Sequence, residues 1–229
     1  MSRNAEMLVS LALSMSLFAC SSESEGTPPP GGGPDGGNPP GGDGGAPPGD
    51  SDAAVPSDLD YPAGPYGIVV GSIVANHTWK GYVDSTADTD EDPFNEPVRD
   101  ISLADFYVKH DPASRLLVID QSAGWCVPCQ DEAVKMPAAA HMWQPKGIRF
   151  LTLMWETVDG NPGTTDYAKV WGNQFHLITP TAADPEDLCK FGFDGIPSFV
   201  VVDTQTMKIV HAGYDGLDEL VPIFQMYAP

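Results

Sequence analysis

The chain has 229 residues, and its 32 acidic side chains against 11 lysines and arginines give a formal net charge of −21 at pH 7. This acidic excess excludes electrostatic binding to nucleic acid or to an anionic membrane, because both surfaces repel it. The length is enough for one or two domains.

The N-terminus has the pattern of a secretory signal. A short polar start is followed by the apolar run 8–19, which is too short to cross a bilayer as a helix. The run ends in LFAC, and this ending resembles the processing box of bacterial lipoproteins. The resemblance implies removal of residues 1–19 and acylation of Cys20, which would anchor the chain to a lipid bilayer. An ordinary signal peptide with a chance cysteine is the alternative.

The lipoprotein resemblance also implies a location. We expect the chain to lie in a bacterial cell envelope, facing the periplasm. Ser21 occupies the position where Asp retains some lipoproteins in the inner membrane, so the outer membrane is slightly favoured.

Residues 21–60 are rich in glycine and proline and contain few apolar side chains. Such a composition cannot bury enough apolar surface to offset the entropy of ordering, so we predict a disordered linker. The predicted organisation is therefore a signal peptide at 1–19, a lipidated cysteine and linker at 20–60, and one folded domain at 61–229.

Residues 83–100 form an acidic stretch within this domain. Asp88, Asp90 and Asp92 alternate like the start of a calcium loop, but Pro93 and Arg99 stand where such a loop needs Gly and Glu. A solvated acidic loop is predicted.

Two cysteines, Cys126 and Cys129, are separated by Val-Pro. Such a pair can be a redox couple, half of a metal site or a small structural disulfide. The chain has no second CxxC and no HxxxH, which argues against zinc, and so short a loop stabilises little. Redox chemistry is favoured, with neither metal nor cofactor. Cys189 is predicted to be a buried, inert thiol, or else a third redox thiol.

The CxxC pair stands between a predicted strand and a predicted helix. Residues 115–120 are apolar and suit a buried parallel strand, whereas residues 130–143 have a helical composition. Cys126 would then lie at a helix N-terminus, where the unpaired amides favour a thiolate. We expect Cys126 to be the attacking thiol and Cys129, one turn further on, to resolve the mixed disulfide.

The WCVPC motif after a strand, together with GIPSFVVVD at 195–203, resembles the thioredoxin superfamily, in particular its TlpA-type and AhpC/TSA redoxin-like members. The resemblance implies an α/β thioredoxin-like fold, a central mixed sheet flanked by helices, with an N-terminal β-hairpin extension. It also implies a hairpin from 70–82 and 101–107, a strand at 148–156, a helix and loop at 164–185, a strand at 208–213 and a last helix at 215–227. Pro137 departs from the pattern, since it follows Cys126 by eleven residues instead of eight.

The same resemblance implies roles for four further residues. Pro197 is expected in cis opposite the dithiol, with the Ile196 backbone open to pair with a substrate. Asp120, six residues before Cys126, matches the buried carboxylate that assists proton transfer from the resolving thiol; a strand-end Asp facing solvent is the alternative. Trp125 is expected to line the partner-binding surface.

The function implied is a membrane-tethered thiol–disulfide oxidoreductase that acts on protein disulfides. Reduction of the partner is the favoured direction. A membrane electron donor is then expected to return the dithiol to its reduced form. Two alternatives stay open. One is a peroxiredoxin-like thiol peroxidase, although WCVPC replaces that family's Pro-Thr-Cys context. The other is a non-enzymatic envelope binding lipoprotein with a structural dithiol.

Overall fold

A mixed β-sheet organises the chain. The computed structural model describes residues 61–84, 92–187 and 195–229, all of them within one compact unit, Asp52–Pro229. In these residues the sheet has seven strands in the order β2-β1-β5-β4-β3-β6-β7. The strands are β1 Thr78–Tyr82, β2 Arg99–Ser102, β3 Leu116–Ala123, β4 Ile148–Glu156, β5 Thr181–Ala183, β6 Ser198–Asp203 and β7 Lys208–Gly213, and the α-helices are α1 Val127–Trp143, α2 Thr165–Phe175 and α3 Leu217–Tyr227.

Strand β3 lies inside the sheet and is buried along its whole length. It pairs in parallel with β4 on one edge and antiparallel with β6 on the other. Leu116 and Val118 belong to a core shared with the three helices, whereas Leu117 and Ile119 belong to the core on the opposite face. This near-continuous apolar run is typical of a strand covered on both faces, as the sequence predicts.

Helix α1 begins directly after the first cysteine of the pair. Cys126 is its N-cap, and Pro128 lies in the first turn, where the missing N–H breaks no helical hydrogen bond. Pro137 is inside the helix, which continues to Trp143. The displaced proline therefore does not end the helix.

The N-terminal hairpin is present, with shorter strands than the sequence predicts. Strand β1 pairs antiparallel with β2 on one side and with β5 on the other, so the hairpin extends the central sheet. Strand β2 ends at Ser102, whose N–H donates to the Asp105 carboxylate over 2.7 Å. This local bond favours the 3-10 helix Leu103–Phe106 in place of a longer strand.

In the described part of the acidic stretch 83–100, residues 97–100 are exposed as predicted, but Pro93 and Phe94 are buried, which the sequence did not predict. Phe94 is only 1% exposed, and its ring packs against the Tyr82 ring with centroids 5.7 Å apart. Asp92 accepts from the Phe94 N–H over 2.9 Å and starts a short 3-10 helix. Residues 85–91, with Asp88 and Asp90, lie outside the described residues.

Several other predictions concern residues that are not described. The signal peptide, Cys20 and the linker, all within residues 1–60, and Cys189 lie outside the described residues. Among the helices that are described, none combines the length and the apolar composition needed to cross a bilayer.

We predict that Gly172→Ala destabilises the fold. A Cβ at position 172 would lie 1.7 Å from Cζ of Phe94. The resulting overpacking costs about 1 to 3 kcal/mol and should exceed the ~1 kcal/mol that Ala gains over Gly in a helix. Urea unfolding measures the effect.

Asn173→Ala, at the next and exposed position of α2, serves as the control for helix propensity. Phe94→Leu in the Gly172→Ala background should recover part of the loss. An unchanged unfolding free energy in Gly172→Ala would show that Phe94 does not fill this space.

Candidate active site

The two cysteines of the CxxC motif form a disulfide at the start of α1, with an S–S distance of 2.07 Å. Cys126 is 3% exposed and Cys129 is fully buried. Of the two cysteines only Cys126 has any exposed surface, and the order of attack expected from the sequence stays a prediction.

The backbone of α1 presents a donor to the first sulfur. The N–H of Cys129 donates to Sγ of Cys126 over 3.1 Å, so the sulfur caps the helix. Unpaired amides and the helix dipole stabilise negative charge at this end. Opening of the disulfide would thus leave Cys126 where a thiolate is favoured.

The segment before β6 lies against the disulfide. The Ile196–Pro197 peptide bond is cis, and the Ile196 carbonyl oxygen is 3.7 Å from Sγ of Cys126. The cis bond that the resemblance implies is confirmed. Its expected role in partner docking stays a prediction.

Asp120 is a buried carboxyl group in the middle of β3, only 1% exposed. Ser122 Oγ donates to Oδ1 over 2.9 Å, and Thr152 Oγ1 donates to Oδ2 over 3.4 Å. Desolvation by burial raises the pKa of Asp120 to about 7, opposed by the two hydroxyl hydrogen bonds and reinforced by the nearby charge of Glu132. Asp120 is therefore not the solvent-facing side chain of the alternative interpretation, and it can exchange a proton near neutral pH.

Glu132 is a second buried carboxylate that the sequence analysis missed. It stands on α1 one turn after Cys129, and its Oε2 accepts from the N–H of Leu217 over 2.8 Å. Its Oε1 accepts from Lys135 Nζ over 2.8 Å, and Lys135 also pairs with Asp218 over 3.2 Å. The sequence feature that could have identified Glu132 is its i, i+3 spacing from Cys129, which puts both side chains on the same face of the helix.

The turn between β3 and α1 exposes an aromatic ring. Trp125 is 47% exposed, and its Nε1–H donates to Oε2 of Glu156 over 2.6 Å. A Cβ on the neighbouring Gly124 would lie 2.0 Å from the Tyr167 hydroxyl, so glycine permits this close approach. Trp125 is thus an exposed ring directly before Cys126 in the chain, and its expected role in partner docking stays a prediction.

Within the part of the chain that the structure describes, no three His, Cys, Asp or Glu side chains are grouped as metal ligands. We assign no metal or cofactor ligand among these residues.

Comparisons with known proteins address the fold. No protein-family model and no curated protein matches the chain. Among solved structures, AhpC of Enterococcus faecalis is 13% identical with a TM-score of 0.50, and the match covers 70% of this chain and 92% of that one. The reduced 2-Cys peroxiredoxin of Plasmodium vivax is 12% identical with a TM-score of 0.50, covering 68% and 80%.

The thioredoxin domain of a thiol-disulfide oxidoreductase from Bacteroides vulgatus is 15% identical with a TM-score of 0.49, and the match covers 69% of this chain and 98% of that domain. At such low identities a structural likeness speaks to the fold alone. The likeness at a TM-score of 0.50, with the strand order above, confirms the α/β thioredoxin-like fold predicted from the sequence.

We predict that Asp120→Asn changes how the unfolding free energy of the oxidised protein depends on pH. The difference between variant and wild type should shift in favour of the variant as the pH rises from 4 to 8. The pKa of Asp120 is raised in the folded state from 3.8 to about 7. Between these values the folded chain keeps a proton that the unfolded chain has lost, so the wild-type unfolding free energy falls as the pH rises through this window. The fall is at most about 4 kcal/mol, at 1.36 kcal/mol per pKa unit, and Asn removes it.

Urea unfolding of both proteins at pH 4, 6 and 8 measures the difference. Asp203→Asn, at a partly exposed strand-end position, is the control for the loss of one carboxylate. A difference between Asp120→Asn and wild type that does not change with pH would contradict the raised pKa.

Proposed function

We propose that this chain is a thiol–disulfide oxidoreductase that acts on protein disulfides. The observation that carries the proposal is the Cys126–Cys129 pair at the N-terminus of α1, with the Ile196 carbonyl oxygen 3.7 Å from Sγ of Cys126. This arrangement brings together a dithiol, a helix end that favours the thiolate and a backbone segment for a partner chain to pair with.

In the reducing direction, the Cys126 thiolate attacks one sulfur of a partner disulfide. The Cys126–partner bond forms as the partner's S–S bond breaks and releases a thiolate. Cys129 then attacks Cys126 Sγ, which re-forms the internal disulfide and releases the second partner thiolate. Two electrons pass from this chain to the partner.

The attack by Cys129 requires that its thiol lose a proton, and we assign the acceptor to Asp120. A carboxyl with a pKa of about 7 is partly ionised at neutral pH and can take up a proton there. Trp125 and the Ile196–Pro197 segment are assigned to partner docking. Asp120, Trp125, Ile196 and Pro197 thereby keep the roles that the resemblance implies.

The working location that we propose is the periplasmic side of a bacterial envelope, with the outer membrane favoured. The support is the signal-like run 8–19, the LFAC ending at Cys20 and the Gly/Pro-rich stretch 21–60. Because that compartment is oxidising, continued reduction requires a membrane electron donor to return the dithiol to its reduced form.

We expect the purified unit Asp52–Pro229, which contains the whole sheet and the dithiol, to catalyse reduction of insulin by dithiothreitol. Cys126→Ser should lower the rate to that of dithiothreitol alone, because no attacking thiolate remains. Cys129→Ser should accumulate a mixed disulfide with the partner, visible by non-reducing electrophoresis.

Cys189→Ser is the matched cysteine control and should keep the activity. Turnover of hydrogen peroxide without activity on insulin would favour the thiol peroxidase. If the wild-type disulfide resists dithiothreitol, the pair is structural and the oxidoreductase proposal fails.

For the membrane anchor, we expect the full chain in a Gram-negative host to incorporate a radiolabelled fatty acid. Cys20→Ser should lose the label, because Cys20 supplies the sulfur for the lipid and becomes the acylated amino terminus. Ser21→Ala is the control at the neighbouring position. Absence of label from the wild type, or its persistence in Cys20→Ser, would contradict lipidation at this residue.

A further inference from the structure

Gln121 is a buried amide beside the candidate active site that no step of the proposed mechanism uses. It follows Asp120 in β3 and is largely buried. Its Oε1 accepts from Ser198 Oγ over 3.3 Å, and its Nε2–H donates to Oδ1 of Asp187. One side chain therefore links three separate segments of the chain.

The first partner, Ser198, is close in sequence to the residue that contacts the disulfide. Ser198 follows Pro197 and is the residue of β6 that pairs with Gln121 at the end of the β3–β6 ladder. Two residues before Ser198 lies Ile196, whose carbonyl is 3.7 Å from Sγ of Cys126. The bond from Ser198 to Gln121 thus helps to set where the Ile196 backbone meets the sulfur.

The second partner belongs to the loop that follows β5. Asp187 has a φ of 53°, in the left-handed region that aspartate adopts more readily than most residues other than glycine. Its N–H donates to the Asp184 carbonyl over 3.1 Å, and its carboxylate accepts a hydrogen bond from the Gln121 amide. A hydrogen bond to a carboxylate is stronger than one between neutral groups, so it helps to hold this turn.

The chemistry of the two bonds suits a primary amide at this position. The carboxylate of Asp187 needs a donor and the hydroxyl of Ser198 needs an acceptor, and a primary amide supplies both. Leucine has a similar size but supplies neither the donor for Asp187 nor the acceptor for the buried Ser198 hydroxyl. Glutamate would place a second carboxylate against Asp187, and the like charges would repel.

We propose that Gln121 is a positioning residue for partner docking. Its bond to Asp187 orients the amide, and its bond from Ser198 holds the Ile196–Pro197 backbone in register with Cys126. This inference rests on the proposed function for its kinetic consequence. Its structural content, the placement of residues 195–198, does not depend on that function.

The kinetic test compares a partner-dependent reaction with a partner-independent one in the unit Asp52–Pro229. For Gln121→Leu and Gln121→Glu we expect KM for insulin to rise about tenfold, the change that ~1.4 kcal/mol of binding produces, with kcat nearly unchanged. The rate at which dithiothreitol reduces the Cys126–Cys129 disulfide should stay within about twofold of wild type, because this small reagent does not need the docking segment.

A rescue experiment separates positioning from general stability. In Gln121→Glu with Asp187→Asn the donor and the acceptor are exchanged, so the Asn amide can donate to the new carboxylate. We expect KM of this double variant to return towards wild type. Gln205→Leu is the matched control, since the Gln205 amide donates to the Ser114 carbonyl elsewhere in the fold over 3.4 Å.

Hydrogen–deuterium exchange of the peptide 195–199 provides a readout that needs no enzymatic activity. Exchange should accelerate in Gln121→Leu and in Gln121→Glu, and it should return to the wild-type rate when Asp187→Asn is added to Gln121→Glu. If the wild type fails to reduce insulin, the proposed function fails and the exchange result alone decides the positioning role.

Four outcomes would each overturn the positioning role of Gln121: equal losses in the insulin and dithiothreitol reactions, no change in KM, no rescue, or unchanged exchange. If Gln121→Leu does not fold, the comparison of Gln121→Glu with the double variant decides.

Discussion

Strand β3 is hydrogen-bonded along both edges, and the geometry of the candidate site depends on that double pairing. On one edge β4 runs parallel, and on the other β6 runs antiparallel, with Gln121 opposite Ser198. Because β6 is antiparallel, its first residue lies beside the end of β3 from which the chain turns into α1. A slip of one residue would move the side chains of β6 to the opposite faces of the sheet and shift Ile196 away from Cys126.

Around this framework, two side chains cross-link segments that are distant in the chain. Glu132 binds the N–H of Leu217, 85 residues away, and so connects the active-site helix to the first turn of α3. Gln121 joins Asp187 and Ser198, which are 66 and 77 residues away. Each carboxylate in these contacts accepts a hydrogen bond from an N–H group, which offsets the cost of removing the carboxylate from water. Polar bonds as well as apolar packing therefore place the elements around the dithiol.

The parts of the structure that the sequence predicted are those with a local signal. The strand before Cys126, the helix after it and the cis bond at Pro197 follow from an apolar run, a helical composition and a recognisable motif. The burial of Phe94 was not predicted, because a single aromatic residue in an acidic stretch has no periodicity. Nor were the contacts of Glu132 and Gln121, since their partners are known only once the strand order is known.

Asp120 shows why a buried group can lower stability and still serve the proposed reaction. The two side chains that bond to it, Ser122 and Thr152, are neutral hydroxyls, which stabilise the ionised form less than a cation would. A lysine or arginine partner would lower the pKa and stabilise the fold at pH 8, but the carboxylate would then be a poor proton acceptor near neutrality. The free energy lost when Asp120 ionises and its capacity to exchange a proton near pH 7 therefore have one cause, the desolvation of a carboxylate in the middle of β3.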